Sequence, residues 1–409
     1  MDCQINNMKT NTPPMSPGPP GDNEDDENID LGEIQEVIDL NEGNLEELTE
    51  EEDMEEEETV VDMATIVFSK HEGSVFTCSI SPSGSVAATG GEDDLAYVWK
   101  ISDGDVLFTC SGHKDSVIHV CFSHDGTLLA TGDYAGYIQV WEVASSKKVW
   151  EFEVGELGWL NWHHASHVLL AGTADGEMWM WLVPHGNTRT FPSYGSPSLC
   201  GAFLYDGKRA VAGYEDGSVR VFDLKSGQML HQLTDDSNDV SPIINIAVQK
   251  DDALVISGAT NGKAKLFSIN NGKLVGSLNC EVSQATDEGA DADIDNTVEA
   301  VSFCPQMPNV AVTATLAGYI TIWDVSSKTI RYTLSQGCGS SHLAWHPQEP
   351  VLFSAGLDGA VRSYDVRSGE PLSKFTGHDE SILYSSISND GSALLTASDD
   401  GTARVFKLS

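Results

Sequence analysis

The feature that most constrains the fold of this chain is an aromatic residue that closes a strand-like run just after a turn and recurs at a regular spacing. Its occurrences are Trp99, Trp141, Trp181, Phe222, Phe267, Trp323, Tyr364 and Phe406. Six of the seven gaps between them are 40 to 45 residues long, and the remaining gap is 56. A period of roughly 40–45 residues is typical of a four-stranded propeller blade. The sequence therefore predicts an all-β, eight-bladed β-propeller.

The strand pattern within each repeat also predicts how the ring closes. The first repeat contains four short runs, which we call strands a to d: SVFTCSI, SVAATGG, LAYVWKI and VLFTC. The eighth repeat supplies only three such runs before Ser409, whereas the run ATIVFS at 64–69 precedes the first repeat. We therefore expect 64–69 to be the outermost strand of the eighth blade, which would cover two exposed sheet edges. The predicted propeller spans 64–409.

Two acidic segments interrupt this regular pattern. Residues 1–63 contain 22 Asp and Glu and one Lys, a net of 22 − 1 = 21 negative charges. Such a segment cannot bury enough apolar surface to offset the entropy lost on ordering, so we predict a disordered acidic tail. The second segment, EVSQATDEGADADIDN at 281–296, accounts for the 56-residue gap. We interpret it as an acidic loop inserted at the surface.

The charge of the whole chain limits the class of partner. It has 63 acidic and 22 basic residues, a formal net charge of −41. Direct binding of nucleic acid needs clustered cations, so we expect a basic protein or peptide as partner and no nucleic acid. The first residues do not resemble a secretory signal, and no apolar run is long enough to cross a membrane. We expect a monomer in the cytoplasm, with an additional nuclear location left open.

Neither a metal nor a cofactor is expected from the motifs. The eight cysteines include no C-x-x-C pair. The run WHHASH brings His163, His164 and His167 together, but WHPQEP at 345–350 occupies the same place in the seventh repeat. We therefore interpret WHHASH as a turn after strand a, because such exposed loops do not fix ligand geometry. The glycine-containing turns GGEDD, GTADG, GYEDG and GLDG precede strand c, and none opens a helix that could hold a phosphate.

A His, a hydroxyl and an Asp recur in register, and they could be mistaken for a hydrolase triad. The first repeat has the full set, and the eighth has all of it except the indole: His71, Thr89, Asp93 and Trp99, then His378, Thr396 and Asp400. We interpret both sets as structural networks because no G-x-S-x-G elbow accompanies them. In the second repeat His113 is present, but Ala135 stands where the Asp is expected. No catalytic residue is expected, and the protein is not predicted to be an enzyme.

The turns between strands b and c and the connections from strand d to the next strand a are expected to meet on one rim around the channel. The residues that we expect to bind a partner there are Glu92, Asp94, Asp115, Asp133, Tyr134, Glu156, Trp159, Tyr214, Glu215, Asp379, Glu380 and Asp399. Carboxylates interleaved with aromatic rings suit an Arg/Lys-rich peptide. The alternative is that these residues are ordinary solvated turn acids on an acidic protein.

Several stretches, in order behind the acidic tail, resemble the angio-associated migratory cell protein family, whose members are WD-repeat proteins. They are GGEDDLAYVW, GHKDSV, FSHDGTLLATGD, LLAGTADG, GKRAVAGYEDG and DLKSG. The resemblance covers the propeller and is most specific in repeats one to four. Fungal relatives are dedicated chaperones that grip the basic N-terminal segment of a large-subunit ribosomal protein, so the resemblance implies that role. The name of the animal relatives implies the alternative, a scaffold or adaptor in cell migration or signalling.

Overall fold

The computed structural model describes residues 61–234, 240–281 and 295–408. Within these ranges the chain forms eight four-stranded antiparallel sheets and no helix, as predicted. Residues 1–60 of the predicted tail lie outside the described residues. So do residues 282–294 of the predicted insertion. The fold class is confirmed: the chain is an eight-bladed β-propeller.

The strands of the first four blades follow the predicted order a to d after a short initial strand. That strand is β1 (Ile66–Phe68). Blade 1 has β2 (Val75–Ile80), β3 (Val86–Gly91), β4 (Ala96–Lys100) and β5 (Val106–Cys110). Blade 2 has β6 (Val117–Phe122), β7 (Leu128–Asp133), β8 (Tyr137–Glu142) and β9 (Lys147–Glu153). Blade 3 has β10 (Leu157–Trp162), β11 (Val168–Thr173), β12 (Met178–Leu182) and β13 (Asn187–Phe191). Blade 4 has β14 (Ser198–Phe203), β15 (Arg209–Tyr214), β16 (Val219–Asp223) and β17 (Met229–Leu233).

The remaining blades repeat this arrangement, and the last has three strands from the C-terminal part of the chain. Blade 5 has β18 (Ile243–Val248), β19 (Leu254–Ala259), β20 (Lys263–Ser268) and β21 (Lys273–Asn279). Blade 6 has β22 (Val298–Phe303), β23 (Val310–Thr315), β24 (Tyr319–Asp324) and β25 (Thr329–Ser335). Blade 7 has β26 (Ser340–Trp345), β27 (Val351–Gly356), β28 (Val361–Asp365) and β29 (Glu370–Phe375). Blade 8 has β30 (Ile382–Ile387), β31 (Ala393–Ser398) and β32 (Ala403–Lys407).

The strand β1 completes the eighth blade. It pairs antiparallel with β32, with Ile66 opposite Val405 and Phe68 opposite Ala403. The ring of Phe68 then stacks on the indole of Trp99 in the first blade, with centroids 4.6 Å apart and planes at 5°. Full burial of a Phe side chain stabilises a fold by roughly 1.5–3 kcal/mol. This strand therefore fixes blade 8 to blade 1 by backbone pairing on one side and ring stacking on the other.

The interior is built from the aromatic residues that carry the period. All eight lie in strand c of their blades, and the most exposed, Trp141, shows 8% of its surface. The a strands of neighbouring blades contact one another in chain order, and β30 contacts β2 to close the ring. The a strands therefore surround the central axis, and the apolar core lies between successive blades.

Candidate partner-binding face

One backbone hydrogen bond recurs in every blade and defines the face at which a partner can bind. The N–H of the residue after strand b donates to the carbonyl of the residue just before strand a. The donor–acceptor pairs are Glu92–Ser74, Tyr134–Ser116, Ala174–Glu156, Glu215–Pro197, Thr260–Pro242, Leu316–Thr297, Leu357–Gly339 and Asp399–Ser381. We call the b–c turns and d–a connections joined in this way the rim. The prediction that these two sets of loops meet on one face is therefore met within each blade.

The His–Asp–hydroxyl sets of blades 1 and 8 lie directly beneath the rim. His71 Nδ1 is 3.0 Å from Asp93 Oδ1, and its Nε2 is 3.0 Å from Thr89 Oγ1. The indole of Trp99 donates to the same hydroxyl over 3.3 Å. In blade 8, His378 is 2.8 Å from Asp400 and 2.7 Å from Thr396. These bonds tie the d–a connection to strand b and the b–c turn.

Blade 2 contains a third network, and it corrects the prediction for Asp133. This residue was expected to bind a partner, but its side chain is fully buried, and its Oδ2 lies 3.2 Å from His113 Nδ1. The other ring nitrogen of His113 is 2.8 Å from Thr131 Oγ1. Asp133 also accepts hydrogen bonds from the N–H groups of Lys114 and Tyr137. Asp133 is the last residue of β7, two positions before Ala135, which occupies the place of Asp93 in this repeat. Asp133 therefore makes the hydrogen bonds that Asp93 makes in blade 1, and the network is complete although Ala135 has no carboxylate.

The buried networks cannot act as hydrolase triads. The side chains of His71, His113 and His378 have no exposed surface. Thr89, Thr131 and Thr396, the hydroxyl partners, are equally buried. A substrate carbonyl would have to enter the interior of the sheet to reach these hydroxyls, so the groups can only hold the turns together.

Two further predicted partner-binding residues, Trp159 and Tyr214, lie in the interior. Trp159 is 4% exposed, and its Nε1 donates to Ser198 Oγ over 2.9 Å. Tyr214 is fully buried, with the guanidinium of Arg220 4.0 Å from its ring centroid. Both residues are at strand positions that the alternation places against the neighbouring blade, so neither ring is free to contact a peptide at the surface.

The other nine predicted residues are exposed or partly exposed on the rim. Eight of them are carboxylates: Glu92, Asp94, Asp115, Glu156, Glu215, Asp379, Glu380 and Asp399. Across the described part of the chain, no salt bridge joins any of these eight to a cation. The ninth, Tyr134, is 49% exposed, and a hydrogen bond to Glu156 raises the pKa of its phenol. The rim is thus an un-neutralised anionic surface with an exposed aromatic ring.

A second set of residues, which was not predicted from the sequence, lies at the inner edge of this face. Each strand a has a one-residue β-bulge two positions after the residue whose carbonyl accepts from the b–c turn. The bulged residues are all partly buried: Phe76, Ile118, Gly158, Leu199, Ile244, Glu299, Ser341 and Leu383. We call these eight positions the bulge ring. Because the a strands surround the axis, the ring places five large apolar side chains inside the acidic rim.

The single acid of the bulge ring is in a different environment from the rim acids. Burial, and secondarily the charge of Asp295, raise the pKa of Glu299 above its usual value. A cation placed beside this half-buried carboxylate would stabilise its charged form. The face therefore combines an exposed anionic rim with a recessed, mainly apolar centre that holds one acid.

No helix within the described ranges is long and apolar enough to cross a membrane.

The family described as "WD domain, G-beta repeat" matches residues 64–100, 104–142, 187–223, 329–365 and 369–407. Angio-associated migratory cell protein of Homo sapiens is 41% identical over 349 residues, which are 84% of this chain and 80% of the relative. The ribosome assembly protein SQT1 of Saccharomyces cerevisiae is 23% identical over 395 residues, 87% of this chain and 89% of the relative.

The solved structures show the same fold. The crystal structure of Saccharomyces cerevisiae Sqt1 has a TM-score of 0.76 at 22% identity, covering 85% of this chain and 99% of that one. Chaetomium thermophilum Sqt1 bound to the N-terminus of the ribosomal protein L10 also has a TM-score of 0.76, at 23% identity over 85% of this chain and all of that one. The match to the human relative over four-fifths of both chains shows that this chain belongs to the angio-associated migratory cell protein family of WD-repeat proteins.

Proposed function

We propose that this protein is a non-catalytic chaperone that masks the basic N-terminal segment of a large-subunit ribosomal protein during ribosome biogenesis in the cytoplasm. The observation that carries the proposal is the set of eight rim carboxylates without a cationic partner in the described structure. The Sqt1 structure with the N-terminus of ribosomal protein L10 supports it, because a protein of the same fold binds the N-terminal segment of a ribosomal protein.

The rim can recognise a basic segment in two stages. At long range, unpaired carboxylates create a negative potential that steers a cationic chain toward the face and raises its association rate. At contact, Arg and Lys form charge-assisted hydrogen bonds with the rim acids, and the exposed ring of Tyr134 offers a face for a cation–π contact. An rRNA-binding segment held in this way cannot bind RNA elsewhere.

The bulge ring would add apolar contacts, which can distinguish one basic segment from another of equal charge. An Arg/Lys-rich segment with apolar residues between its cations can place these residues on Phe76, Ile118 and Leu199. Buried apolar contacts surrounded by a polar rim are the usual arrangement of binding hot spots. We therefore expect the protein to select a patterned basic segment rather than any polycation.

The test uses the full chain and a peptide with the N-terminal sequence of ribosomal protein L10. Calorimetric titration measures Kd for the unmodified protein and for a variant with Glu92, Glu156 and Glu215 changed to Lys. The matched control changes Asp105, Glu349 and Glu370 to Lys. These three exposed acids lie at the opposite end of the blades, Asp105 in a c–d turn, Glu349 in an a–b turn and Glu370 at the start of β29. Their replacement changes the net charge equally.

We expect the rim variant to lose at least about tenfold in affinity, because three attractions of about 0.2–1 kcal/mol each become repulsions. The control should retain the affinity and the salt dependence of the unmodified protein. A scrambled peptide of equal charge should bind more weakly than the natural one. Equal losses in both variants, or equal affinity for both peptides, would contradict recognition at the rim.

A scaffold or adaptor in cell migration or signalling is a second candidate, and one observation favours it. Between the outer strands of blades 6 and 7 is an open groove lined by Leu334, Tyr364 and Leu372, with Leu372 53% exposed. A partner held there would bind through apolar contacts, so its affinity would change little with ionic strength. Partners recovered equally by the unmodified protein and the rim variant at high salt would support this role.

A further inference from the structure

The end of the blades opposite the rim carries a cluster of metal-binding side chains that no single sequence motif contains. His124 and Asp125 lie in the a–b turn of blade 2, and His167 lies in the a–b turn of blade 3. One ligand atom of each lies within 4.8 Å of the other two. We propose that these three residues form a site for a divalent transition-metal ion of the Zn²⁺ class. This proposal is independent of the proposed function.

The distances suit such an ion. His167 Nε2 lies 3.0 Å from Asp125 Oδ2. Ligands at about 2.0–2.1 Å from a tetrahedral zinc are about 3.3–3.4 Å apart, so an ion can take the place of the proton shared by this pair. His124 is exposed, and its ring centroid is 5.4 Å from that of His167, so a side-chain rotation brings its nitrogen to the ion. Water would complete the coordination.

Neighbouring groups hold two of the three ligands in place. Ser123 Oγ, Thr127 N and Thr127 Oγ1 all donate to Asp125 Oδ1, at 2.7, 3.1 and 2.8 Å. This leaves Oδ2 turned toward His167. Trp162 packs edge-on against the ring of His167, with centroids 6.3 Å apart. Outer-shell contacts of this kind fix the direction of metal ligands.

The donor set determines the class of metal. Two imidazoles and one carboxylate favour Zn²⁺, Co²⁺, Ni²⁺ or Cu²⁺ over Mg²⁺ or Ca²⁺, which prefer oxygen ligands alone. The run 162–167 was interpreted as a turn without metal, and it does lie between β10 and β11. Of its histidines, His163 and His164 stack on each other 4.4 Å apart and are not part of the ligand group. Only His167 joins it, and its partners come from the preceding blade.

The test is a titration of the full chain with ZnCl₂, followed by calorimetry, and with CoCl₂, followed by absorption, both in excess Mg²⁺. The Mg²⁺ occupies the many acidic side chains that bind hard cations without specificity. The variants are His124→Ala, His167→Ala and Asp125→Asn, which keeps the acceptor for Ser123 and Thr127. The matched control is His164→Ala, an exposed histidine in the same turn as His167 but outside the ligand group.

We expect one Zn²⁺ per chain, and a Co²⁺ spectrum of a four- or five-coordinate site with nitrogen and oxygen ligands. Each of the three ligand variants should lose at least about tenfold in affinity, since even outer-shell changes cost 10–100-fold, and His164→Ala should bind as the unmodified protein does. No saturable binding in excess Mg²⁺, an equal loss in His164→Ala, or a thiolate charge-transfer band with Co²⁺ would each overturn the proposal. The peptide-binding test at the rim is unaffected by any of these results.

Discussion

Acids one residue apart in the same turns have opposite environments in this propeller. Asp93 and Asp400 are bonded to buried histidines, whereas Glu92 and Asp399, the residues just before them, are on the surface without a cation in the described structure. We call the acids bonded to buried histidines, Asp93, Asp133 and Asp400, the inner acids, and the exposed rim carboxylates the outer acids. The inner acids stabilise the turns on which the outer acids lie. The propeller can therefore carry an un-neutralised charge on its rim because the turns beneath it are tied by separate, fully paired groups.

Removing an inner acid should have the largest effect. Asp133→Ala leaves the buried ring of His113 and two partly buried backbone N–H groups without their acceptor. Breaking a buried, hydrogen-bonded pair costs about 3–5 kcal/mol. We expect a loss of about 3 kcal/mol in unfolding free energy, measured by urea denaturation. Asp115→Ala, in the d–a connection of the same blade, should change stability by less than about 0.5 kcal/mol. Similar losses in both would show that the two classes of acid do not differ.

The inner acids should also govern stability at low pH, with a smaller effect than outright removal. Burial acts to raise the pKa of Asp133, but the bonds from His113, Lys114 and Tyr137 outweigh it and the net shift is downward. A lowered native pKa stabilises the fold above the unfolded value of about 3.9, and this stability is lost as pH falls through the native pKa. Stability should therefore fall below about pH 4, with a shallower decline in Asp133→Asn. Equal slopes in both proteins would contradict the linkage.

An intermediate effect is expected at the bulge ring, which separates recognition by shape from recognition by charge. Phe76→Ala should weaken binding of the L10 N-terminal peptide by about 1–2 kcal/mol, as truncation of an apolar anchor does. The loss should persist at high salt, whereas the loss in the rim variant should shrink. Titration at two ionic strengths measures both. Because Phe76 is only partly buried, thermal unfolding provides the control for damage to the fold. A Phe76→Ala effect that disappears at high salt would indicate that the ring is not an anchor.

The fold was predictable because its determinants are periodic. The aromatic residue of strand c is buried in every blade, so its recurrence from Trp99 to Phe406 marks the blades directly. The last repeat lacks its outer strand, and one strand-like run before the first repeat has no other place in the pattern. The simplest arrangement adds this run to the last blade, and β1 does pair with β32. Regular repeats leave few topologies open to a chain.

The candidate site was only partly predictable because it depends on register and on contacts between blades. The network acid of the second repeat was expected at position 135, and Asp133 was expected to be an exposed rim residue. The acid is in fact Asp133, two positions earlier, and its side chain is buried. The bulge at Phe76 has no residue signature, since bulges are set by strand pairing. His124 and His167 are 43 positions apart and meet only because their blades are adjacent. Sequence reasoning finds which loops share a face, but not which side chains in them are free.

The smallest expected effect is the one that most directly tests whether the rim charge serves binding rather than folding. The side chain of Glu215 is exposed and unpaired in the described structure, so Glu215→Gln removes one negative charge and no folded-state contact. Relief of repulsion should raise the unfolding free energy by up to about 0.5 kcal/mol at low salt, and the gain should vanish at high salt. Glu370→Gln, at the opposite end of the blades, is the control. A loss of stability in Glu215→Gln would mean that this acid belongs with the inner ones. A gain in stability together with weaker binding of the L10 N-terminal peptide would mean that the charge of Glu215 destabilises the fold and stabilises the complex.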